Sequence, residues 1–231
     1  MKLKILILSL VIFTFYSCKD ENIINTSPLT SIQPSRDHLI AEYMFNDVRK
    51  IVEDAFINNF KNTICPIYSI NNINQGDQDT IIIDFGNENT ICPPIYGNIR
   101  SGKIIVVYTG NYRDSLASIT TTFDNFRINN QLIQGQQHII NEGRNTIGNM
   151  WFTVNITNAI ITTSNGNIDW QSNQTRELMS GQSTVSNIFD DRYIVSGFSS
   201  GNSVNGNDFN VSITDPLMID QECLLIIKNL V

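Results

Sequence analysis

The sequence predicts a mainly β domain of the α+β class, with one N-terminal amphipathic helix packed on a long, curved antiparallel β-meander. Three observations predict it. A helical spacing of apolar residues occurs once beyond the first thirty residues, in the stretch beginning at Ser35. From Lys61 onward the chain breaks into short runs rich in β-branched residues and punctuated by Asn and Gly, which suits strands joined by tight turns. No strand, helix, strand rhythm follows, which argues against a parallel, doubly wound sheet.

The helix rests on Ile40, Met44, Val48, Ile51 and Ala55, flanked by Phe45, Val52, Phe56 and Phe60. Ser35 or Asp37 can accept hydrogen bonds from the open donors of the first turn, Asp37 and Glu42 suit its positive end, and Asn58 and Asn59 mark its close. Each large side chain on this stripe is worth roughly 1.5 to 3 kcal/mol when buried, so it reads as a packing face against a sheet or another subunit.

Strands are expected at 64–70, 80–85, 103–109 and 117–123, then at 126–129 and 132–140 around Asn129-Asn130. Further pairs follow at 151–162 and 167–178 around Asn165-Gly166, and at 192–199 and 208–214 around Asn205-Gly206. The last three pairs read as sequential hairpins. Phe152, Val154 and Ile156 alternate with Thr153 and Asn155, and Phe209, Val211 and Ile213 with Ser212 and Thr214, so one sheet face is apolar and the other wet, as in antiparallel sheets.

The ends of the chain speak of export. Lys2 and Lys4 precede a run from Ile5 to Phe15 that is apolar apart from Ser9 and Thr14. The run is shorter than the ~20 residues a membrane-spanning helix needs, so residues 1–17 read as a cleaved signal. Ser17 followed by Cys18 resembles the lipobox of bacterial lipoproteins, although Phe15 stands where Leu is usual; the competing reading is an ordinary secretory signal with an incidental cysteine. A lipidated Cys18 would anchor the protein by about 0.8 kcal/mol per buried methylene. Lys19, Asp20 and Glu21 resemble the signal that sends Bacteroidetes lipoproteins to the cell surface, against the blander reading of a solvated charge run. Residues 18–34 read as a flexible tether and residues 35–231 as a single domain.

The balance of 15 basic against 22 acidic residues, a net charge of -7, argues against nucleic acid and anionic lipid as partners. Cys65 and Cys92 sit in echoing settings, Asn62-Thr63-Ile64-Cys65-Pro66-Ile67-Tyr68 and Asn89-Thr90-Ile91-Cys92-Pro93-Pro94-Ile95-Tyr96. They read as a disulfide, which an exported protein permits, or as metal ligands; the chain has only two histidines, His38 and His138, and neither stands at ligand spacing from these cysteines. Cys223 is left over as a buried thiol, an intermolecular bridge or the mark of a lost partner strand. The expectation is therefore no metal and no cofactor.

Catalytic constellations are sparse. Neither histidine comes with a nucleophile turn, so His38 reads as a first-turn helix residue and His138 as a wet strand residue. Asp190-Asp191 reads as a turn cap or a weak calcium site, Trp170 as a core aromatic, and Arg176-Glu177 as surface. A hydrolase would need two of Asp169, Glu177, Asp190 and Asp191 to converge about 5 to 9 Å apart.

Several blocks carry a resemblance: Arg100-Ser101-Gly102-Lys103-Ile104-Ile105-Val106-Val107-Tyr108-Thr109-Gly110, Tyr112-Arg113-Asp114, Thr120 to Phe126, Ile82 to Gly86, Asp190-Asp191-Arg192-Tyr193 with Gly197, and Phe45-Asn46-Asp47-Val48. In these the chain resembles a family of uncharacterised Bacteroidetes lipoproteins of the Gram-negative envelope. The resemblance implies an outer-membrane lipoprotein with no assigned activity, and it implies that this copy is shortened after Cys223. Asp79-Thr80-Ile81 and Asp114-Ser115-Leu116 look like O-glycosylation sites of the same bacteria, at Thr80 and Ser115, or like an ordinary strand start and turn. Three functions compete: a surface-exposed, non-enzymatic binding or adhesion module for a glycan or protein ligand, a periplasm-facing carrier of a lipid or other apolar ligand, and a hydrolase.

Overall fold

In a computed structural model, which describes residues 32–61, 64–71, 78–87, 92–95 and 97–221, nine strands follow one helix. The signal, Cys18, the Lys19-Asp20-Glu21 run and Cys223 lie outside the described residues. The helix, α1, runs Gln33–Ile57. The strands are β1 Ile67–Asn71, β2 Asp79–Asp84, β3 Arg100–Tyr108, β4 Ser118–Ile128, β5 Gln131–Arg144, β6 Met150–Thr163, β7 Gly166–Ser180, β8 Arg192–Asn202 and β9 Asp208–Asp220. They form one antiparallel sheet in sequence order, β1 to β9. The expected meander and all three hairpins are present, the turns falling at Asn129-Asn130, at Ser164-Asn165, one residue before the expected Asn165-Gly166, and around Asn205-Gly206.

Several boundaries differ from expectation: β1 starts three residues later and β3 three residues earlier, while β5 and β9 run four and six residues further. The helix begins at Gln33, two residues early, with Pro34 in its first turn, where a missing N–H costs nothing. Its cap position is Ile32, which makes no side-chain cap, and Asp37 instead accepts from the Val204 backbone N–H at 2.9 Å and from Gln33 Nε2 at 2.8 Å. The two short runs at 117–123 and 126–129 are one strand, β4, interrupted by a bulge. There Asn125 takes a φ of 50° and Gly102 across the ladder a φ of 79°. A Cβ on Gly102 would lie 2.2 Å from the Asn125 carbonyl oxygen. The device recurs between β5 and β6, where Gly135 faces Asn158. Such bulges bend strands and increase their twist.

The bent sheet holds the helix in a trough. At about 100° per residue, the buried positions from Asp37 to Phe56 cover about 240° of the helix circumference. A flat sheet buries a stripe nearer 100° wide. The floor of the trough is apolar: Phe45 meets Phe123 of β4 and Trp170 of β7 at ring distances of 5.9 and 5.5 Å, and Phe56 meets Tyr108 of β3 at 5.0 Å. The flanks are polar. On one side Asp47 reaches Arg100 of β3, and on the other Arg49 and Glu53 reach the β8 side, where the Arg49 guanidinium lies 5.8 Å from the Tyr193 ring. Glu42 and Asn46 meet Gln174 and Arg176 of β7. The amphipathic stripe is thus the bottom of a wider buried surface. Among the described residues no helix is long and apolar enough to cross a membrane.

Candidate functional site

On the outer, wet face, strands β6 to β9 form a groove of about 500 Å³. The register builds it from two rows of side chains. Asp169 of β7 stands opposite Asn202 of β8, which stands opposite Asp208 of β9; two residues along, Gln171, Ser200 and Asn210 repeat the arrangement. Between the rows Gly201 supplies no side chain, and a Cβ there would lie 2.1 Å from the Asp169 carbonyl oxygen. Trp170 and Phe209, its ladder partners, point the other way into the core. The result is a trench walled by amides, a hydroxyl and two carboxylates.

Part of this wall is already ordered. Gln171 Nε2 donates to Ser200 Oγ at 2.9 Å, and Asn202, with its amide nitrogen turned toward β9, donates to Asp208 Oδ1 at 2.5 Å. Asn158 is exposed at the rim in a left-handed conformation, φ 52°, set by the bulge opposite Gly135. Both rows carry acceptors, and Asn202, Gln171, Ser200 and Asn210 add donors, which is what a ligand with many hydroxyls or amides pairs with. Asp169 and Asp208 are both exposed, whereas a general acid for sugar cleavage is typically a carboxyl held in an apolar pocket.

The residues singled out for hydrolysis do not converge. Asp169 and Glu177 stand eight residues apart on β7, about 26 Å at strand spacing. Glu177 accepts from Asn145 at 2.8 Å and Asn149 at 2.7 Å on the outer face. Asp191 is on the inner face, fully buried, where it accepts from Arg113 Nη2 at 2.7 Å and the Tyr193 hydroxyl at 3.0 Å. Asp191 does close the short turn before β8, its backbone N–H donating to the Ile188 carbonyl, and its side chain in addition anchors the turn after β3 to the start of β8. Asp190 stays half-buried in a short 3-10 turn, Ile188–Asp190.

The reading of Arg176 as surface is also corrected, since it is 2 % exposed. It donates from Nη1 to Asn46 Oδ1 at 3.1 Å, and its guanidinium lies 5.0 Å from the Tyr193 ring. Burial, reinforced by the Arg49 charge, lowers its pKa to about 10. Arg49 pairs with Glu53 at 2.7 Å, and burial, with the Glu53 charge adding, pushes the Tyr112 phenol up to about 12. Trp170 is a core aromatic as expected.

His38 does lie in the first turns of α1, half-buried against Trp170 and Phe209, and burial lowers its pKa. Its Nδ1 is 3.3 Å from Ser199 Oγ, but Ser199 faces the helix and is buried, out of reach of a substrate carbonyl. His138 pairs with Thr120 across β4 and β5 at 2.9 Å. Cys65 and Cys92 form a disulfide, with Cα atoms 5.4 Å apart, so their sulfurs are not open as metal ligands. Thr80 sits half-buried inside β2 between Asn71 and Val107, while Ser115 is exposed in the turn between β3 and β4. Comparison with protein-family models, with curated proteins and with solved structures finds no match for this chain.

Proposed function

We propose that this chain is a lipid-anchored envelope protein of the Bacteroidetes type, displayed at the outer surface, and that it acts as a non-enzymatic binding module for a glycan. The observation that carries the reading is the trench between Asp169-Asn202-Asp208 and Gln171-Ser200-Asn210. Its walls offer amide and carboxylate groups at the 4.7 to 4.9 Å spacing of neighbouring strands, which suits the hydroxyls of a sugar chain lying across the sheet. A lipid on Cys18 and the run Lys19-Asp20-Glu21 would hold this face where extracellular polymers pass. The carrier reading has less support, because the concave side of the sheet, where an apolar ligand would lodge, is taken up by α1 and its charged flanks.

The test is a glycan array probed with the purified mature chain and with the Gln171→Ala, Asn210→Ala double variant. The expected result is binding to one group of polysaccharides that the variant loses while its circular dichroism stays unchanged. Equal binding by both proteins rejects the trench as the site. Display is tested by protease shaving of intact cells: the native chain is expected to be digested and the Lys19→Ala, Asp20→Ala, Glu21→Ala variant spared. Protection of both would place the protein on the periplasmic side.

A further inference from the structure

We infer that Phe198 is a stacking platform for a sugar ring and that the trench beside it takes neutral glycans, excluding uronates and sulfated sugars. The inference rests on the glycan reading above and names its substrate class. Phe198 lies on β8 and alternates with Ser199, which faces the helix, so its side chain stands on the outer face with that of Ser200. The ladders place it in the row next to the trench, opposite Asn173 of β7 and Ser212 of β9. Two residues along the strand, about 6.6 Å away, Ser200 already belongs to the trench wall.

Single exposed apolar side chains are ordinary on protein surfaces. Phe198 differs in its setting. It is 60 % exposed, and the neighbours that the sheet gives it are short or polar: Ser196 and Ser200 along the strand, Asn173 and Ser212 across it. None of them covers the ring with apolar surface. Asn173 turns its amide the other way, donating from Nδ2 to Asn155 Oδ1 of β6 at 2.5 Å. Immediately before Phe198 the ladder between β8 and β9 shifts register at Gly197, whose φ is 138° and where a Cβ would lie 2.2 Å from the Asn173 carbonyl oxygen. Only glycine fits there, and bulges of this kind redirect the side chains beside them. The outcome is an aromatic ring standing open next to a row of amides and hydroxyls.

A pyranose matches both parts. Its rim of hydroxyls pairs with Gln171, Ser200 and Asn210, and its C–H face rests on the negative face of an aromatic ring. Charge decides the class of sugar. Asp169 and Asp208 stand in one row of the wall with Asn202 between them, and among the described residues no lysine or arginine lines the trench. A uronate or sulfate would meet like charges there without a cation to pair with, which disfavours the wrong ligand. The hydroxyls of a neutral sugar can instead donate to both carboxylates.

The test compares the neutral and the anionic members of the glycan array on the purified mature chain, then measures Kd for the strongest hit by titration calorimetry. Hits are expected among the neutral glycans alone. Burying a Phe side chain corresponds to a change in affinity of roughly tenfold or more, so Phe198→Ala is expected to raise Kd by at least that factor. Phe198→Tyr, which keeps the ring, is expected to bind as the native chain does, and both variants should melt with it because the position is exposed. A native Kd for Phe198→Ala, where the Gln171→Ala, Asn210→Ala variant has lost binding, overturns the stacking role and leaves the glycan reading standing. Uronate or sulfated glycans bound as tightly as neutral ones overturn the charge selection. An array without any hit overturns the glycan reading and the inference with it.

Discussion

Arg100 of β3 donates from Nε to Asp47 Oδ2 at 2.9 Å and from Nη2 to Asp47 Oδ1 at 2.5 Å, clasping the sheet to the helix across 53 residues of sequence. The clasp is buried and fully dressed. Asn98 Nδ2 adds a bond to Asp47 at 2.8 Å, Arg100 Nη1 donates to the Ile95 and Asn98 carbonyls, and Tyr43 and Asn129 both donate to Asn98. Removing one partner leaves the other charge buried and unpaired, which costs about 3 to 5 kcal/mol. Asp47→Ala is therefore expected to lower the urea midpoint strongly. The double variant Asp47→Leu, Arg100→Met is expected to lose less than either single variant; a strictly additive cycle would mean that the clasp does not act as a pair.

The strands and their turns were legible because each hairpin carries its own signal, an Asn-Gly or Asn-Asn pair between alternating runs. The bulges hid behind the same residues. Asp124-Asn125 reads as a gap between two strands, yet it is the point where β4 bends against Gly102. The charged flanks of the helix were illegible for another reason: Asp47, Arg49 and Glu53 look like a solvated face until partners 53 to 144 residues away, Arg100, Arg113 and Tyr193, are brought to them. Arg176 did carry a local signal. Ile168, Trp170, Ser172, Gln174, Arg176 and Leu178 alternate inward along β7, all buried. The trench could have been assembled from the turn at Asn205-Gly206, which sets Asn202 against Asp208, but nothing in one strand announces the row across three.

Asp191 should tie stability to pH in the opposite sense to most carboxylates. Burial, assisted by the Glu53 charge, outweighs the pairing with Arg113 and lifts its pKa from an ordinary 3.8 to about 6. Between these values the folded state holds the proton more tightly than the unfolded chain, so the contribution of this group is greatest below about pH 4 and is lost as pH rises through about 6. The stability difference between the native chain and Asp191→Asn isolates it from other titrations. That difference is expected to shift against the native chain from pH 4 to 7 in urea unfolding; a difference constant over this range would show Asp191 to titrate normally.

Gly135 is expected to resist any side chain. Its φ is 111°, and a Cβ would lie 2.6 Å from the Asn158 carbonyl oxygen and 2.7 Å from Ala159 Cα. Backbone strain of this sort costs about 1 to 3 kcal/mol before the clash is relieved. Gly135→Ala should therefore lower Tm clearly, by flattening the bulge that bends β5 over the helix. Gly206 offers the control, since its φ is 79° but nothing lies within 4 Å of a Cβ there. Gly206→Asn, a residue that tolerates the left-handed region, should cost much less. Equal losses would assign the effect to φ alone.

The Cys65–Cys92 disulfide closes a segment with a sequence separation of 27 residues around β1 and β2, the first two strands of the sheet. Constraining a loop of that length in the unfolded chain is worth roughly 3 to 4 kcal/mol by the loop-entropy relation. The bond joins the segment before β1 to the loop after β2. Reduction is therefore expected to loosen β1 and β2 first. Hydrogen exchange on the Cys65→Ser, Cys92→Ser variant should show protection lost at Tyr68 and Ile81 while Val154 and Val195, far along the sheet, stay protected below the global transition. Uniform loss of protection across all nine strands would mean that the sheet unfolds as one cooperative unit and that the bond stabilises it as a whole.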